Sequence, residues 1–66
     1  MIKLKIYSQI LEFLKTNREA KRNEIAKALN LKIGDVDNSI RDLIKTGFLK
    51  GVGQEIMLKR EEMIEG

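Results

Sequence analysis

Four residues in the second half of the chain recur at a spacing that puts them on one side of a helix. They are Gly34, Asn38, Arg41 and Lys45, at positions i, i+4, i+7 and i+11. An asparagine amide can pair with the edge of adenine, an arginine guanidinium with guanine or phosphate, and a glycine lets the backbone come close to another surface. This is the chemistry of recognition. The plain alternative is that these are ordinary solvated helix residues and that Gly34 only serves a turn.

Acidic residues accompany these four. The charged residues of segment 32–45 are Lys32, Arg41 and Lys45 against Asp35, Asp37 and Asp42, so 3 − 3 gives zero. On a helical wheel Asp35 and Asp42 lie along one side of the four-residue stripe, and Asp37 lies near the buried border. An i,i+4 pair of Asp37 with Arg41 would hold the arginine in one orientation. The acids therefore frame the stripe without occupying it.

The composition argues against catalysis. The chain has no cysteine and no histidine, so a disulfide, a zinc site of the usual ligands and the commonest general base are all excluded. Ser8 and Ser39 have no base at a motif spacing, and no glycine-rich phosphate loop is present. We expect no enzyme activity, no metal and no cofactor. No apolar run is long enough for a membrane span or a signal peptide, so we expect a cytoplasmic protein.

The 66 residues predict one domain, 1–66, of mainly helical α+β class. Apolar periodicity predicts helix one over about 4–15, helix two over about 22–29 with Ile25, Ala28 and Leu29 inward, and helix three over about 34–46. Helix three buries Val36, Ile40, Leu43 and Ile44, with Ile33 just before it. Gly47 ends this helix. Two short apolar segments joined at Gly53-Gln54 predict a β-hairpin over about 48–59, followed by an acidic tail, 61–66.

The stretch "NEIAKALNLKIGDVDNSIRDLIKTGFLK" and the hairpin after it resemble the winged helix-turn-helix family. Ala26 lets two helices approach, and Gly47 turns the chain into the wing. The resemblance implies three helices with a C-terminal two-stranded wing. It does not extend to the binders of Z-form nucleic acid, because Arg41 stands where those proteins have tyrosine and the chain has neither proline nor tryptophan.

The resemblance implies that the third helix enters the major groove of double-stranded DNA and that the wing and the preceding segment touch phosphates. Candidate groove contacts are Lys32, Gly34, Asn38, Arg41 and Lys45; candidate phosphate contacts are Lys21, Arg22, Lys50 and Lys59. We therefore expect a small transcriptional regulator. The alternative is a winged helix that serves as a protein-interaction module in a larger assembly, which the zero net charge of the third helix favours.

Helix one carries more apolar surface than one small core needs. Its apolar residues cover roughly 200° of a helical wheel, whereas about 100° is typical of a helix that packs on a core. We expect a homodimer through Leu4, Tyr7 and Leu11, which would suit a palindromic site. The alternative is that Met57, Met63 and Ile64 cover this face.

Overall fold

A computed structural model describes the backbone of residues 2–59 and the side chains of residues 5–59. The elements in chain order are α1 (Ile2–Thr16), β1 (Glu19–Lys21), α2 (Arg22–Leu29), α3 (Ile33–Lys45), β2 (Leu49–Val52) and β3 (Glu55–Leu58). The predicted α+β class is confirmed, and each predicted helix begins and ends within two residues of its observed bounds. The acidic tail lies outside the described residues.

Short hydrogen-bonded motifs mark the start of α2 and the ends of α2 and α3. The N–H of Lys21, the residue before α2, donates to Oε1 of Glu24 at 2.9 Å, so Lys21 occupies the N-cap position. Asn30 follows α2 in the left-handed conformation, with φ 58°. Gly47 after α3 has φ 92°, which an L side chain rarely adopts, and Phe48 N–H then donates to the Leu43 carbonyl at 2.9 Å. Gly47 therefore ends the helix as predicted.

Every described helix and strand contributes to one core. Its buried apolar residues are Ile6, Ile10, Leu14, Ala20, Ile25, Ala26, Val36, Ile40, Leu43, Leu49 and Ile56. One predicted inward position is wrong, because Ala28 is exposed, whereas Ala26 is buried. Ile33, expected just before the third helix, belongs to it and is 48% exposed. Ile33 is the first residue of α3 and borders a shallow depression that Ala26 and Lys27 of α2 also line.

The sheet has three antiparallel strands in the order β1-β3-β2, where a two-stranded hairpin was expected. β2 and β3 pair across Gly53-Gln54 with Val52 opposite Glu55. The strand missing from the prediction is β1, whose Ala20 is buried opposite Ile56. Three residues are too few to show an alternating pattern, and their partner lies 36 positions away, since 56 − 20 is 36. Nothing local could therefore have identified β1 as a strand.

Within the described part of the chain, the helices are too short or too polar to span a lipid bilayer.

Candidate functional site

The exposed side of α3 carries the four residues that the sequence predicted to lie on one side of this helix. Gly34, Asn38, Arg41 and Lys45 are all exposed, whereas Val36, Ser39, Ile40 and Leu43 on the opposite side are buried. Three of the four, Asn38, Arg41 and Lys45, border a shallow depression of about 430 Å³ together with Asp42. The helix thus presents one amide, one guanidinium and one ammonium group side by side. We call Gly34, Asn38, Arg41 and Lys45 the α3 stripe.

Gly34 lies in the first turn of α3 with open space around it. A Cβ built at this position would meet no other atom of the chain within 4 Å. Its φ is not in the left-handed region, so neither packing nor backbone conformation requires glycine here. The absence of a side chain leaves the helix backbone accessible from outside at the end of the stripe.

Asp42, at the edge of the stripe, is bound to α1. The hydroxyl of Tyr7 donates a hydrogen bond to Oδ2 of Asp42 at 2.6 Å, and both side chains are half-buried. A short bond to a charged acceptor is among the stronger hydrogen bonds in proteins. The sequence predicted only that Asp42 lies along one side of the stripe and that Tyr7 lies at a dimer interface, because helical periodicity does not identify which side chains meet across two helices. The pair joins α1 to α3 beside the stripe.

This contact changes the acidity of the phenol. The hydrogen bond to Asp42 is the largest cause that raises the pKa of Tyr7 above its usual 10.0, followed by burial and by the negative charge of Asp42. The folded state therefore favours the protonated phenol. The resulting stabilisation is complete below about pH 10, the pKa of an unperturbed tyrosine, and is lost as the pH rises through the higher folded-state pKa.

The Tyr7 pKa can be measured directly because Tyr7 is the chain's single tyrosine and tryptophan is absent. We expect the ultraviolet absorbance of tyrosinate to develop at higher pH in the wild-type protein than in Asp42→Asn, whose neutral amide accepts a hydrogen bond without attracting the proton. The control is Asp35→Asn, which removes a carboxylate from the same helix without touching Tyr7. Equal midpoints for wild type and Asp42→Asn in folded protein would show that the contact does not form in solution.

A second acid of α3, Asp37, is bound to α2. Nε of Arg22 lies 2.7 Å from Oδ1 of Asp37, with the side chains 36% and 39% exposed. Nε is shielded from solvent and its N–H makes no aligned hydrogen bond, so the contact is an ion pair rather than a directed bond. At this exposure it stabilises the fold by roughly 0.2–1 kcal/mol. The expected pairing of Asp37 with Arg41 is therefore wrong, since Arg22 holds the carboxylate from the neighbouring helix.

The remaining acid, Asp35, lies in the first turn of α3, where a carboxylate offsets the positive end of the helix dipole. All three acids thus have roles within the fold. Adding Arg22 to the charges of segment 32–45 gives 4 − 3, a sum of +1 instead of zero. The electrostatic character of this surface cannot be obtained from α3 alone.

The other predicted contact residues lie on different elements. Lys32 is the residue before α3, at the same end as Gly34. Lys21 and Lys50 both lie on the outer face of the sheet, on strands to either side of β3, where Lys21 is opposite Glu55 and Lys50 is opposite Met57. Lys59 follows β3. The structure groups Asn38, Arg41 and Lys45 around one depression but does not gather all the predicted cations there.

In the described residues, no three carboxylate side chains come together as a group that could hold a metal ion.

Comparison of the chain with models of known protein families and with curated proteins found no match.

Proposed function

We propose that the chain is a winged helix-turn-helix protein that binds double-stranded DNA in the cytoplasm and acts as a small transcriptional regulator. In this proposal α3 lies in the major groove, where Asn38 and Arg41 contact base edges and Lys45 contacts a phosphate. The strands β2 and β3 form the wing. Three helices followed by an antiparallel β2-β3 pair support this assignment, and β1 extends the wing by one strand.

The observation that carries the proposal is the arrangement of acids around the α3 stripe. Carboxylates that project freely among the cations of a helix repel a polyanion. Here Asp37 is held by Arg22 and Asp42 is held by the Tyr7 hydroxyl, while Asn38, Arg41 and Lys45 are exposed. Asparagine and arginine are the side chains that make paired hydrogen bonds with adenine and guanine. The exposed part of α3 is thus suited to reading base edges.

Electrostatic attraction in this proposal comes from lysines on several elements. Lys32 lies at the start of α3, and Lys21 and Lys50 lie on the outer face of the sheet. Arg22 contributes less than expected because its charge is shared with Asp37. Contacts from such lysines to phosphates supply affinity without sequence preference.

The test of the proposal is the salt dependence of binding to a random duplex, measured by gel shift or fluorescence anisotropy. Four phosphate contacts predict a fall in affinity of about a hundredfold between about 50 and 200 mM salt. No binding at the lower salt concentration, or binding that does not depend on salt, would reject the proposal. Selection from random duplexes then supplies the preferred site.

A protein-interaction module is the second candidate, and one observation favours it. Asp42 keeps its negative charge beside the stripe, because its partner Tyr7 is neutral. That charge attracts a partner protein with a basic surface and repels the phosphates of DNA. Absence of DNA binding at low salt, together with a partner whose affinity falls in Asp42→Asn, would favour the module.

Gly34 offers a way to separate folding from binding. Gly34→Ala is expected to stabilise the protein slightly, by about 0.5 kcal/mol, because alanine is the better helix former and the added methyl group meets nothing in the chain. In the proposed complex the same methyl group lies between α3 and the DNA, so binding should weaken. Melting curves and anisotropy on one sample measure both effects. A variant that is stabilised and binds as tightly as wild type would show that the start of α3 stays away from the duplex.

A further inference from the structure

A second surface of the molecule is an apolar groove on the side of α1. It has a volume of about 650 Å³ and lies between α1, Phe48 before β2 and Leu58 at the end of β3. Its apolar surface comes from Leu11, Phe48 and Leu58, and its charged rim comes from Glu12, Lys15 and Lys59. No residue of the α3 stripe lines it. We call it the α1 groove.

Phe48 is the prominent residue of this groove. Its side chain is 56% exposed, although a phenylalanine ring gains more than most side chains from burial. The backbone of Phe48 is fixed on both sides: its N–H donates to the Leu43 carbonyl at 2.9 Å, and its carbonyl accepts from Lys59 N–H at 3.1 Å. The ring therefore projects from a rigid position. Phenylalanine is among the aromatic residues that are enriched in the buried cores of protein interfaces.

We propose that the α1 groove binds the same groove of a second copy of this chain, forming a homodimer in which Phe48 of each copy enters the depression between Leu11 and Leu58 of the other. A two-fold interface requires a surface that is complementary to itself. This groove meets that requirement in shape, because one patch contains both a projecting ring and an apolar depression.

The rim meets the same requirement in charge. Glu12 and Lys15 lie one turn apart on α1, 3.5 Å from each other, and both are well exposed. A two-fold axis across the groove brings Glu12 of one copy towards Lys15 of the other, so each carboxylate gains a second cation. A surface of one sign would repel its own copy.

This inference keeps the expected homodimer but places its interface at the α1 groove. Of the three residues predicted for the interface, Tyr7 is bound to Asp42 within the monomer, the side chain of Leu4 lies outside the described residues, and only Leu11 lines the groove. The inference does not depend on DNA binding. If both proposals hold, the dimer carries two α3 stripes on surfaces outside the interface, as a palindromic site requires.

The test is sedimentation equilibrium of the full chain without DNA at micromolar concentrations. Wild type should sediment at twice the monomer mass of 7.6 kDa. Phe48→Asp should weaken the dimer at least about tenfold, because a hot-spot residue is lost and a charge enters the interface. The matched control is Ile33→Asp, since Ile33 is similarly exposed, at 48%, but lies on another surface; its dimer should be unchanged. Circular dichroism establishes that both variants are folded.

The charged rim allows a second, independent test. Glu12→Lys should weaken the dimer, and adding Lys15→Glu should restore it, because the exchange re-creates one pair of opposite charges on each side of the axis. A change that acted only within one α1 helix would alter helix content and not the association constant. Failure of the double exchange to restore association would reject this interface.

Two further outcomes overturn the inference. One is a wild-type chain that stays monomeric, and the other is a dimer that Phe48→Asp leaves intact. A monomer that begins to dimerise when Met63 and Ile64, which lie outside the described residues, are both replaced by serine would mean that the chain's own C-terminus covers the groove. Loss of DNA binding by a protein that remains dimeric would bear on the proposed function alone.

Discussion

Arg41→Ala is expected to weaken binding to the selected duplex by about 1–3 kcal/mol, a loss of roughly five- to 150-fold, while leaving the melting temperature nearly unchanged. Arg41 is exposed on α3 between Asn38 and Lys45 and has no role in the core. In the groove, its guanidinium would make two hydrogen bonds to guanine that alanine cannot replace. Fluorescence anisotropy against the selected site and against site variants measures the loss and whether specificity at one base pair is relaxed.

Two control variants show whether the loss is specific to Arg41. Arg18→Ala removes the same charge from the exposed segment between α1 and β1 and should weaken binding much less. Asp42→Asn removes a negative charge beside Arg41 and should leave DNA binding equal or tighter, since its amide still accepts the Tyr7 hydrogen bond. If Arg41→Ala binds as tightly as wild type while folded, α3 does not read the groove. If Asp42→Asn loses affinity for a protein partner instead, the interaction-module candidate is favoured.

Ile56→Ala is expected to cost about 2–5 kcal/mol of the free energy of unfolding, because truncation of a buried isoleucine loses transfer energy and leaves a cavity. Ile56 is 1% exposed and lies in the central strand, opposite Ala20 on one side and Gly51 on the other. A chain of 66 residues has a total stability of roughly 3–10 kcal/mol, so the loss is a large share of it. Thermal melting should show a fall of the order of 10 °C or more.

The matched control is Val52→Ala, which shortens another β-branched side chain of the same sheet. Val52 is 58% exposed, so its truncation should change stability by no more than about 0.5 kcal/mol. Similar losses in the two variants would show that the sheet does not pack on the helices as described. Loss of DNA binding in Ile56→Ala alone carries no weight unless the sample is folded at the assay temperature.

Periodicity was sufficient to predict the helices, because each buries one face of a regular spiral. The burial of Val36, Ile40 and Leu43 and the end of α3 at Gly47 follow from such local rules, and both were confirmed. The outward placement of the α3 stripe follows from the same rule, applied to the opposite side. The predictions failed at β1, which is too short to show a pattern, at the start of α3, and at Ala28 of α2, which is exposed.

The contacts of the acids could not be predicted, for a different reason. The partners of Asp37 and Asp42 are Arg22 and Tyr7, which lie 15 and 35 positions earlier in the chain. Which residues of two helices meet depends on how the helices cross, and a single sequence carries no local signal for that. The i,i+4 rule predicted Arg41 as the partner of Asp37, because the rule considers one helix only, whereas the observed partner, Arg22, belongs to α2.

The position of β1 affects what binding would cost in conformational entropy. A two-stranded arm that projects from a helical domain keeps much of its backbone freedom, and any partner that fixes the arm must overcome that entropy. Here β3 lies between β1 and β2, and Ile56 anchors it in the core, so the central strand is fixed at both edges and on one face. Its backbone freedom, worth roughly 1–2 kcal/mol per residue, has already been lost when the chain folds. The sheet therefore meets any partner as a preorganised surface.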